Sequence, residues 1–185
     1  MQNKVFVLCG APGTGKTTIR DYLVQHYAMA KVITHTTRPP RKNERDGQDY
    51  YFETPQSFKQ NHYLEQVKYD RYCYGSSREG LKRAWDKKKW AAIVLDTVGA
   101  AAYLKAMPSQ TVVLYVKVSA KTNLKERLQK RGDNPRQIAE RLQSSEAQRD
   151  ASLPQALKDR AHLILNDDWD QTCRQIEKVI KNEGH

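Results

Sequence analysis

The sequence of 185 residues contains little cysteine and no long apolar run. Its three cysteines, Cys9, Cys73 and Cys173, lie far apart and do not have the spacing of metal ligands. This scarcity argues against a disulfide framework and predicts a reducing compartment. No stretch approaches the roughly 18 apolar residues of a membrane-spanning helix, and the N-terminal apolar run is too short for a signal peptide. We therefore expect a cytoplasmic protein with no membrane partner.

Acidic residues are also scarce compared with basic ones. The chain has 21 Asp and Glu against 32 Lys and Arg, which gives a formal net charge of +11 and a pI near 9.6. Such a balance favours polyanionic partners, but it does not choose between nucleotides and nucleic acid. With 38% hydrophobic and 29% charged residues, the composition is typical of a globular domain large enough to bury a core.

Four apolar runs are continuous rather than alternating, as parallel strands covered on both faces are. They read "KVFVLC", "AAIVLD", "TVVLYVKV" and "AHLILN". Helical patterns cover roughly residues 16–27, 79–89, 97–106, 120–131, 136–149 and 170–182. This alternation predicts an α/β fold, in which helices cover both faces of a parallel sheet.

Two regions depart from this alternation of strands and helices. Residues 34 to about 78 are polar, rich in tyrosine and contain short strand-like pieces, which predicts an insertion. Residues 132–150, which begin "GDNPRQIAERL", are polar and helical and fit a mobile flap better than core.

The strongest motif is "GAPGTGKTT", which matches G-x-x-x-x-G-K-[ST] between a predicted strand and a predicted helix. Its glycines let backbone N–H groups point at phosphate oxygens, and the helix N-terminus adds further N–H groups and a positive dipole end. The predicted ATP-binding residues are Gly10, Ala11, Pro12, Gly13, Thr14, Gly15, Lys16, Thr17 and Thr18. Lys16 can reach the β- and γ-phosphates, and the Thr17 hydroxyl can bind Mg²⁺.

A second metal ligand is available in Asp96, which ends the run "AAIVLD". The carboxyl end of that strand is expected to lie beside the phosphate loop. Asp96 could instead cap the following helix, and the two roles can coexist.

The stretch "THTTRPPRKNERDGQDYYF", residues 34–52, supplies groups for a second phosphate site. Arg38 and Arg41 can each bind a phosphate bidentately. The hydroxyls of Thr34, Tyr50 and Tyr74 can donate to the same group. Such a site suits a nucleoside monophosphate, although the arginines could instead form surface ion pairs.

Beyond the phosphate loop, the sequence resembles guanylate kinases, nucleoside monophosphate kinases of the P-loop class. The resemblance runs through "THTTRPPR", "DGQDYYF", "YLEQ", "YCYGSSRE", "IVLD", "RLQKRG", "ERL" and "LILNDD". It implies a P-loop kinase core at about residues 1–33, 90–131 and 151–185. It also implies a small mixed α/β nucleotide-binding insertion at about 34–89 and a helical lid at about 132–150.

The resemblance implies transfer of the γ-phosphate of ATP to GMP, with Mg²⁺ as cofactor. The residues that match catalytic positions of the family are Lys16, Arg38, Arg131 and Arg141. Arg127 and Asn166 match positions that contact ATP. The positions assigned to GMP are Thr34, Arg38, Arg41, Tyr50, Glu65, Tyr74, Ser76 and Thr97.

Base recognition falls to Glu65 and Ser76 in this resemblance. A carboxylate accepts two hydrogen bonds from the N1–H and 2-amino edge of guanine, whereas adenine offers an acceptor at N1. The family usually reads L-D-x-D-x-Q-G after the central strand, and its second aspartate helps to hold guanine. Here the sequence is "LDTVGA", with Thr97 after Asp96 and no counterpart of the second aspartate. We therefore expect a weaker preference for guanine than is usual in the family.

Three alternatives stay open at this stage. The chain could be a kinase of the same scaffold that acts on another nucleotide or on a sugar phosphate. It could be a non-catalytic binding module like the guanylate-kinase-like domains of scaffold proteins, although those lack a working phosphate loop. A nucleic-acid binder that uses the basic surface is the third, and its binding would depend steeply on salt.

Overall fold

A computed structural model describes residues 2–69, 71–119 and 143–184 of the chain. Its strands are β1 Lys4–Cys9, β2 Ala30–Lys31, β3 His35–Thr36, β4 Tyr51–Phe52, β5 Tyr63–Tyr69, β6 Tyr72–Ser77, β7 Trp90–Val94, β8 Thr111–Lys117 and β9 Ala161–Leu165. Its helices are α1 Lys16–His26, α2 Pro55–Phe58, α3 Arg78–Lys87, α4 Thr97–Ala106, α5 Ser145–Asp150 and α6 Trp169–Asn182, with a 3₁₀ turn at Gln155–Leu157.

The larger sheet has five strands in the order β2-β7-β1-β8-β9, and every pairing in it is parallel. The four predicted apolar runs form β1, β7, β8 and β9, and the two-residue strand β2 joins them at one edge. The predicted α/β fold is confirmed. Because parallel strands end at the same edge of a sheet, the loop after β1 and Asp96 after β7 are brought to one side of the molecule.

Side chains on the two faces of this sheet pack into two apolar layers. Val5 and Val7 of β1 face one layer, which includes Leu81 of α3 and Tyr103 of α4. Phe6 of β1 faces the other layer, which α1 and α6 cover. Alternate residues of β1 thus enter different layers, which explains why its sequence is apolar throughout.

A smaller sheet of four strands, in the order β4-β3-β6-β5, lies within the predicted insertion. Strand β6 pairs antiparallel with both β3 and β5, whereas β3 and β4 are parallel. Helix α4 packs against β5, and α3 connects β6 to the core by packing against β7 and β2. The small sheet is therefore fixed directly onto the elements that follow the central strands.

The helix predicted at 120–131 and most of the one at 136–149 lie outside the described residues. From Gln143 onwards the chain is described, and α5 begins after Ser144, whose hydroxyl accepts a hydrogen bond from the Ala147 N–H at 3.1 Å. None of the helices in the described ranges has the length and apolar character needed to cross a membrane. All three cysteines are free thiols.

Candidate active site

The phosphate loop turns sharply between β1 and α1 because of its glycines. Gly10 has φ of 130°, and a Cβ atom there would lie 2.2 Å from the Val116 carbonyl oxygen of β8. No residue with a side chain fits this position, so the loop requires glycine for both its conformation and its contact with the sheet. Gly15, with φ of 92°, precedes the first turn of α1 without a side-chain cap, which leaves the N–H groups of that turn directed out of the helix.

Three side chains hold the loop in this shape. The Thr14 hydroxyl donates to the Ala11 carbonyl at 2.9 Å. The amide of Asn166, which is 6% exposed, donates to the Thr14 carbonyl at 2.7 Å. Lys16 crosses the loop, and its Nζ donates to the carbonyls of Gly10 and Ala11 at 2.6 and 2.7 Å. The lysine charge is therefore held against the carbonyl groups of the loop, and its predicted contact with the β- and γ-phosphates stays a prediction.

Thr17 and Thr18 are exposed on the first turn of α1. Asp96, the other predicted metal ligand, is the N-cap of α4, because its Oδ1 accepts from the Gly99 N–H at 2.7 Å. The capping role that the sequence left open is thus present. The prediction that Thr17 and Asp96 bind Mg²⁺ stays a prediction.

Arg149 and Asp150, at the end of α5, join the start of α4. Arg149 donates through Nη2 to Asp96 Oδ2 at 2.8 Å and through Nε to Asp150 Oδ1 at 3.1 Å. Asp150 is 5% exposed, and its Oδ1 also accepts from the N–H and hydroxyl of Thr97 at 3.2 and 2.6 Å. Thr97 is buried, so its hydroxyl is committed to Asp150 in this structure. Its predicted contact with GMP stays a prediction.

The thiol of Cys9, at the end of β1, lies close to the charges of Lys16, Asp96 and Asp150. Burial and then the charge of Asp150 raise the pKa of this thiol, Lys16 lowers it and Asp96 raises it, with a net pKa of about 12. One buried group thus responds to the loop lysine and to both aspartates. These three charges therefore surround the carboxyl end of the central strand.

The predicted phosphate clamp is assembled around Arg38 in the smaller sheet. Its guanidinium lies 5.6 Å from the centre of the Tyr50 ring, and the Tyr50 and Tyr74 rings are 6.2 Å apart in an edge-on arrangement. Burial raises the pKa of Tyr50, and so does its neighbour Tyr74, which keeps the Tyr50 hydroxyl protonated as a hydrogen-bond donor. The structure therefore brings Arg38, Tyr50 and Tyr74 together.

Glu44 orients this clamp, although the sequence analysis did not single it out. Its Oε1 accepts from Arg38 Nη2 at 2.8 Å, and its Oε2 accepts from the Arg41 N–H at 2.8 Å. The Arg41 backbone hydrogen bond and the Arg38 guanidinium lower the pKa of Glu44 against the effect of burial. The signal in the sequence was a carboxylate three residues after Arg41, between Lys42 and Arg45.

Two other clamp residues lie at the edges of this group. The side chain of Arg41 is exposed, and Thr34 is half-buried at the start of β3. Next to Thr34, His35 is buried and bonded at both ring nitrogens, to Glu53 and to Ser77, each at 2.7 Å. His35 thus ties the start of the clamp to the end of β6.

Glu65 and Ser76, the predicted base readers, face each other across β5 and β6. The Ser76 hydroxyl donates to Glu65 Oε1 at 2.9 Å. Burial raises the pKa of Glu65, the Ser76 hydrogen bonds lower it and the charge of Asp96 raises it, with a net pKa of about 7. A half-buried carboxylate therefore stands on the same small sheet as the clamp and within electrostatic reach of Asp96.

Arg127, Arg131 and Arg141 lie outside the described residues, so their predicted roles stay predictions. The contact of Asn166 with ATP also stays a prediction, since its amide supports the phosphate loop. Arg149 and Asp150 had no local signal in the sequence, because their partners Asp96 and Thr97 lie more than fifty positions earlier.

Comparison with known proteins gives one answer throughout. The family described as guanylate kinase matches residues 2–183. A guanylate kinase of Chlamydia caviae is 32% identical, over 98% of this chain and 89% of that protein. A guanylate kinase of Thermus thermophilus is 33% identical, over 79% of this chain and 68% of that protein.

A solved structure agrees at the level of the fold. The crystal structure of guanylate kinase from Anaplasma phagocytophilum has a TM-score of 0.67 to this chain, at 22% identity, covering 98% of this chain and 86% of that one. The family match spans the phosphate loop, the clamp and the base-reading pair together. The resemblance found in the sequence is thereby confirmed, and the chain belongs to the guanylate kinase family.

Proposed function

We propose that this protein transfers the γ-phosphate of ATP to GMP, forming ADP and GDP. The observation that carries the proposal is the small sheet, on which a phosphate clamp and a carboxylate–hydroxyl pair stand together. Arg38 belongs to the clamp, and Glu65 with Ser76 forms the pair. A nucleoside monophosphate has a phosphate and a base edge to match these two groups.

The donor nucleotide is assigned to the phosphate loop. The N–H groups at the start of α1 and the Lys16 ammonium would bind the β- and γ-phosphates. Thr14 and Asn166 support this role by fixing the loop backbone. Transfer then needs the two nucleotides to meet at the carboxyl edge of the larger sheet, where Asp96 stands.

The acceptor phosphate is assigned to the clamp, with Thr34, Arg38, Arg41, Tyr50 and Tyr74 as donors. Arg38 suits this role because its guanidinium has five N–H donors, of which Nη2 gives one to Glu44 and Nη1 one to the Pro39 carbonyl. The remaining donors can bind a phosphate without loss of the orienting ion pair. Glu65 is assigned to the guanine N1–H and 2-amino edge.

The reaction requires no general base, since a nucleoside monophosphate is largely a dianion at neutral pH, with its second pKa near 6. The difficulty is to bring two anions together and to stabilise charge on the transferring phosphoryl group. We assign that task to Lys16 and Arg38, and to Arg131 and Arg141 as the resemblance implies. Closure over the phosphates would also exclude water as a competing acceptor.

Mg²⁺ is proposed as the cofactor that accompanies ATP. The donors available are the exposed Thr17 hydroxyl and the Asp96 carboxylate, and such oxygen ligands fit Mg²⁺. Within the described part of the chain, each Asp96 oxygen accepts one hydrogen bond and so keeps a lone pair there. When bound, the ion would neutralise charge on the β- and γ-phosphates. We also propose a cytoplasmic location, which the free thiols support.

The alternatives drawn from the sequence have no support from the family match. A coupled kinase assay with GMP, dGMP, AMP, CMP and UMP tests the proposal. We expect kcat/KM to be highest for GMP and dGMP. Glu65→Gln should lower kcat/KM for GMP by roughly 10²-fold or more and change AMP little, because a base donor would then face an amide.

Glu177→Gln is the matched control, since Glu177 forms an exposed ion pair with Lys181 on α6. That variant should behave as the wild type. If Glu65→Gln keeps the wild-type ratio of kcat/KM for GMP to kcat/KM for AMP, Glu65 does not recognise the base. If the wild type prefers another acceptor, the assignment of GMP is wrong.

A further inference from the structure

The end of helix α5 lies beside the carboxyl end of the central strand β1. The Tyr115 hydroxyl of β8 donates to the Asp150 carbonyl at 2.9 Å, and Tyr115 pairs with Cys9, the last residue of β1. The Asp150 carboxylate accepts from the N–H and hydroxyl of Thr97, which follows β7. Strand β1 stands between β7 and β8 in the larger sheet. Asp150 therefore bridges the two strands that flank β1, at the end from which the phosphate loop begins.

Arg149 precedes Asp150 and is held at the same end of the sheet. Its Nη2 donates to Asp96 Oδ2 at 2.8 Å, and its Nε donates to Asp150 Oδ1 at 3.1 Å. Asp96 is itself close to the end of β1, because the N–H of the preceding Leu95 donates to the Leu8 carbonyl at 3.0 Å. Two carboxylates thus fix the Arg149 guanidinium next to the phosphate loop.

This guanidinium still has donors for a ligand. The Arg149 side chain is 38% exposed, whereas the Asp150 side chain is 7% exposed. In hydrogen bonds between described residues, Arg149 donates once from Nε and once from Nη2. A guanidinium has five N–H donors, so both donors of Nη1 and the second donor of Nη2 are not used in these bonds. Arg149 is therefore both oriented by the fold and accessible to an anion.

We propose that Arg149 is a further catalytic residue, which donates hydrogen bonds to the phosphoryl group as it is transferred. This inference rests on the proposed function, because it needs ATP and GMP to meet at the carboxyl edge of the larger sheet. In the reaction, the bond from the γ-phosphorus to the β–γ bridging oxygen breaks, and its electron pair stays on ADP. A bond forms from the γ-phosphorus to an oxygen of the GMP phosphate, and no proton moves in this step.

The chemistry of an arginine suits this step. The transferring phosphoryl group spreads its negative charge over three oxygens, and a planar guanidinium can donate two parallel hydrogen bonds to two of them. Asp96 and Asp150 hold the guanidinium before any nucleotide binds, so little reorganisation is needed during the reaction. Lys16 brings one charge from the phosphate loop, and Arg149 would bring a second from α5.

Arg149→Gln removes the charge and most of the donors. We expect the single-turnover rate of phosphoryl transfer from ATP to GMP to fall about 10²-fold. The KM values for ATP and GMP should change less than about threefold, because the contact is made mainly in the transition state. Arg149→Lys keeps the charge but loses the planar fork, so its rate should fall about tenfold. The melting temperature should fall by no more than a few degrees, roughly, because Arg149 is partly exposed.

Two control variants separate catalysis from a structural role. Arg160→Gln removes the same charge just before β9, at the opposite edge of the sheet, where Arg160 donates to the Pro108 carbonyl at 2.9 Å. Its transfer rate should equal that of the wild type. Asp150→Asn weakens the buried junction with Thr97 but leaves the guanidinium in the protein. Its melting temperature should fall more than that of Arg149→Gln, and its transfer rate should fall less.

Two results would overturn the role of Arg149. One is a wild type that phosphorylates GMP while Arg149→Gln keeps a transfer rate within about threefold of it. The other is an equal loss of rate and of melting temperature in Arg149→Gln and Asp150→Asn, since that pattern describes a structural junction. If Arg149→Gln does not fold, Arg149→Lys decides in its place, and a rate within about twofold of the wild type overturns the proposal. A wild type that does not phosphorylate GMP overturns the proposed function first, and this inference with it.

Discussion

The two proposed phosphate sites of this protein are built in different ways. The donor site is one continuous loop, in which glycine backbone and a helix N-terminus are the principal binding groups. The acceptor site is assembled from side chains on β5 and β6, on Thr34 just before β3 and on the loop before β4. A backbone site depends on the path of the chain, whereas a side-chain site depends on partners that hold each group in place.

Several side chains in or next to the acceptor site are held by hydrogen bonds to neighbouring side chains. Glu44 holds Arg38, His35 links Glu53 to Ser77, and Ser76 holds Glu65. On the donor side the loop is fixed mainly by bonds to its own carbonyl groups, from Thr14, Lys16 and Asn166. Single substitutions should therefore damage the two sites to different degrees.

The largest effect is expected at Lys16. Lys16→Ala removes the one loop side chain that brings a full charge to the transferring phosphate, so kcat should fall at least about 10²- to 10³-fold. The fold should persist, because Lys16 is only partly buried and its truncation removes no side chain from the apolar layers of the core. Circular dichroism checks that the Lys16→Ala protein is folded, and single-turnover kinetics measure its rate of phosphoryl transfer. Lys82→Ala, in an exposed ion pair with Asp86, serves as the control, and a folded Lys16→Ala protein within tenfold of the wild type contradicts the assignment.

The second-largest effect is expected in the pH dependence of kcat/KM for GMP. Burial raises the pKa of Glu65 to about 7, and only the ionised carboxylate can accept both donors of guanine. From that titration, kcat/KM for GMP should rise about tenfold between pH 6 and pH 8, beyond the change due to the acceptor phosphate. Glu65→Gln should show only the phosphate titration. Equal pH profiles for the two proteins would show that Glu65 stays ionised or plays no part.

A smaller effect is expected at Glu44. Glu44→Gln keeps an acceptor for Arg38 but loses the charge, so KM for GMP should rise about three- to tenfold with KM for ATP unchanged. Asp49→Asn is the control in the same loop, since Asp49 accepts only from the Arg45 N–H among its described hydrogen bonds. A fall in KM for GMP would show that Glu44 competes with the phosphate rather than orienting the clamp.

The smallest effect is expected in the melting temperature of Glu65→Gln. Because the pKa of Glu65 is raised above its ordinary 4.5, the folded state retains its proton longer than the unfolded chain does. Its contribution to stability is therefore present at low pH and is lost as pH rises toward about 7. Glu65→Gln should raise the melting temperature by a few degrees, roughly, at pH 8 and less at pH 5. A larger gain at pH 5 would contradict this sign.

The difference between the sites also explains what the sequence could predict. Gly10 to Thr17 form a contiguous motif, so spacing alone predicts a phosphate loop, and the continuous apolar strands predict the parallel sheet. Arg38 and Glu65 were assigned through composition and family resemblance, since no local spacing brings them together. The junction of Arg149 and Asp150 with Asp96 and Thr97 depends on packing between distant segments.

The central claim is that each nucleotide has its own site, the donor on backbone and the acceptor on side chains. Calorimetric titration of ATP alone and GMP alone into Lys16→Ala and Glu65→Gln tests it most directly, with Lys82→Ala and Glu177→Gln as controls in exposed ion pairs. We expect Lys16→Ala to lose ATP binding at least about tenfold while GMP binding changes less than about threefold. Glu65→Gln should show the reverse. Equal weakening of both nucleotides in Lys16→Ala or in Glu65→Gln would contradict the account.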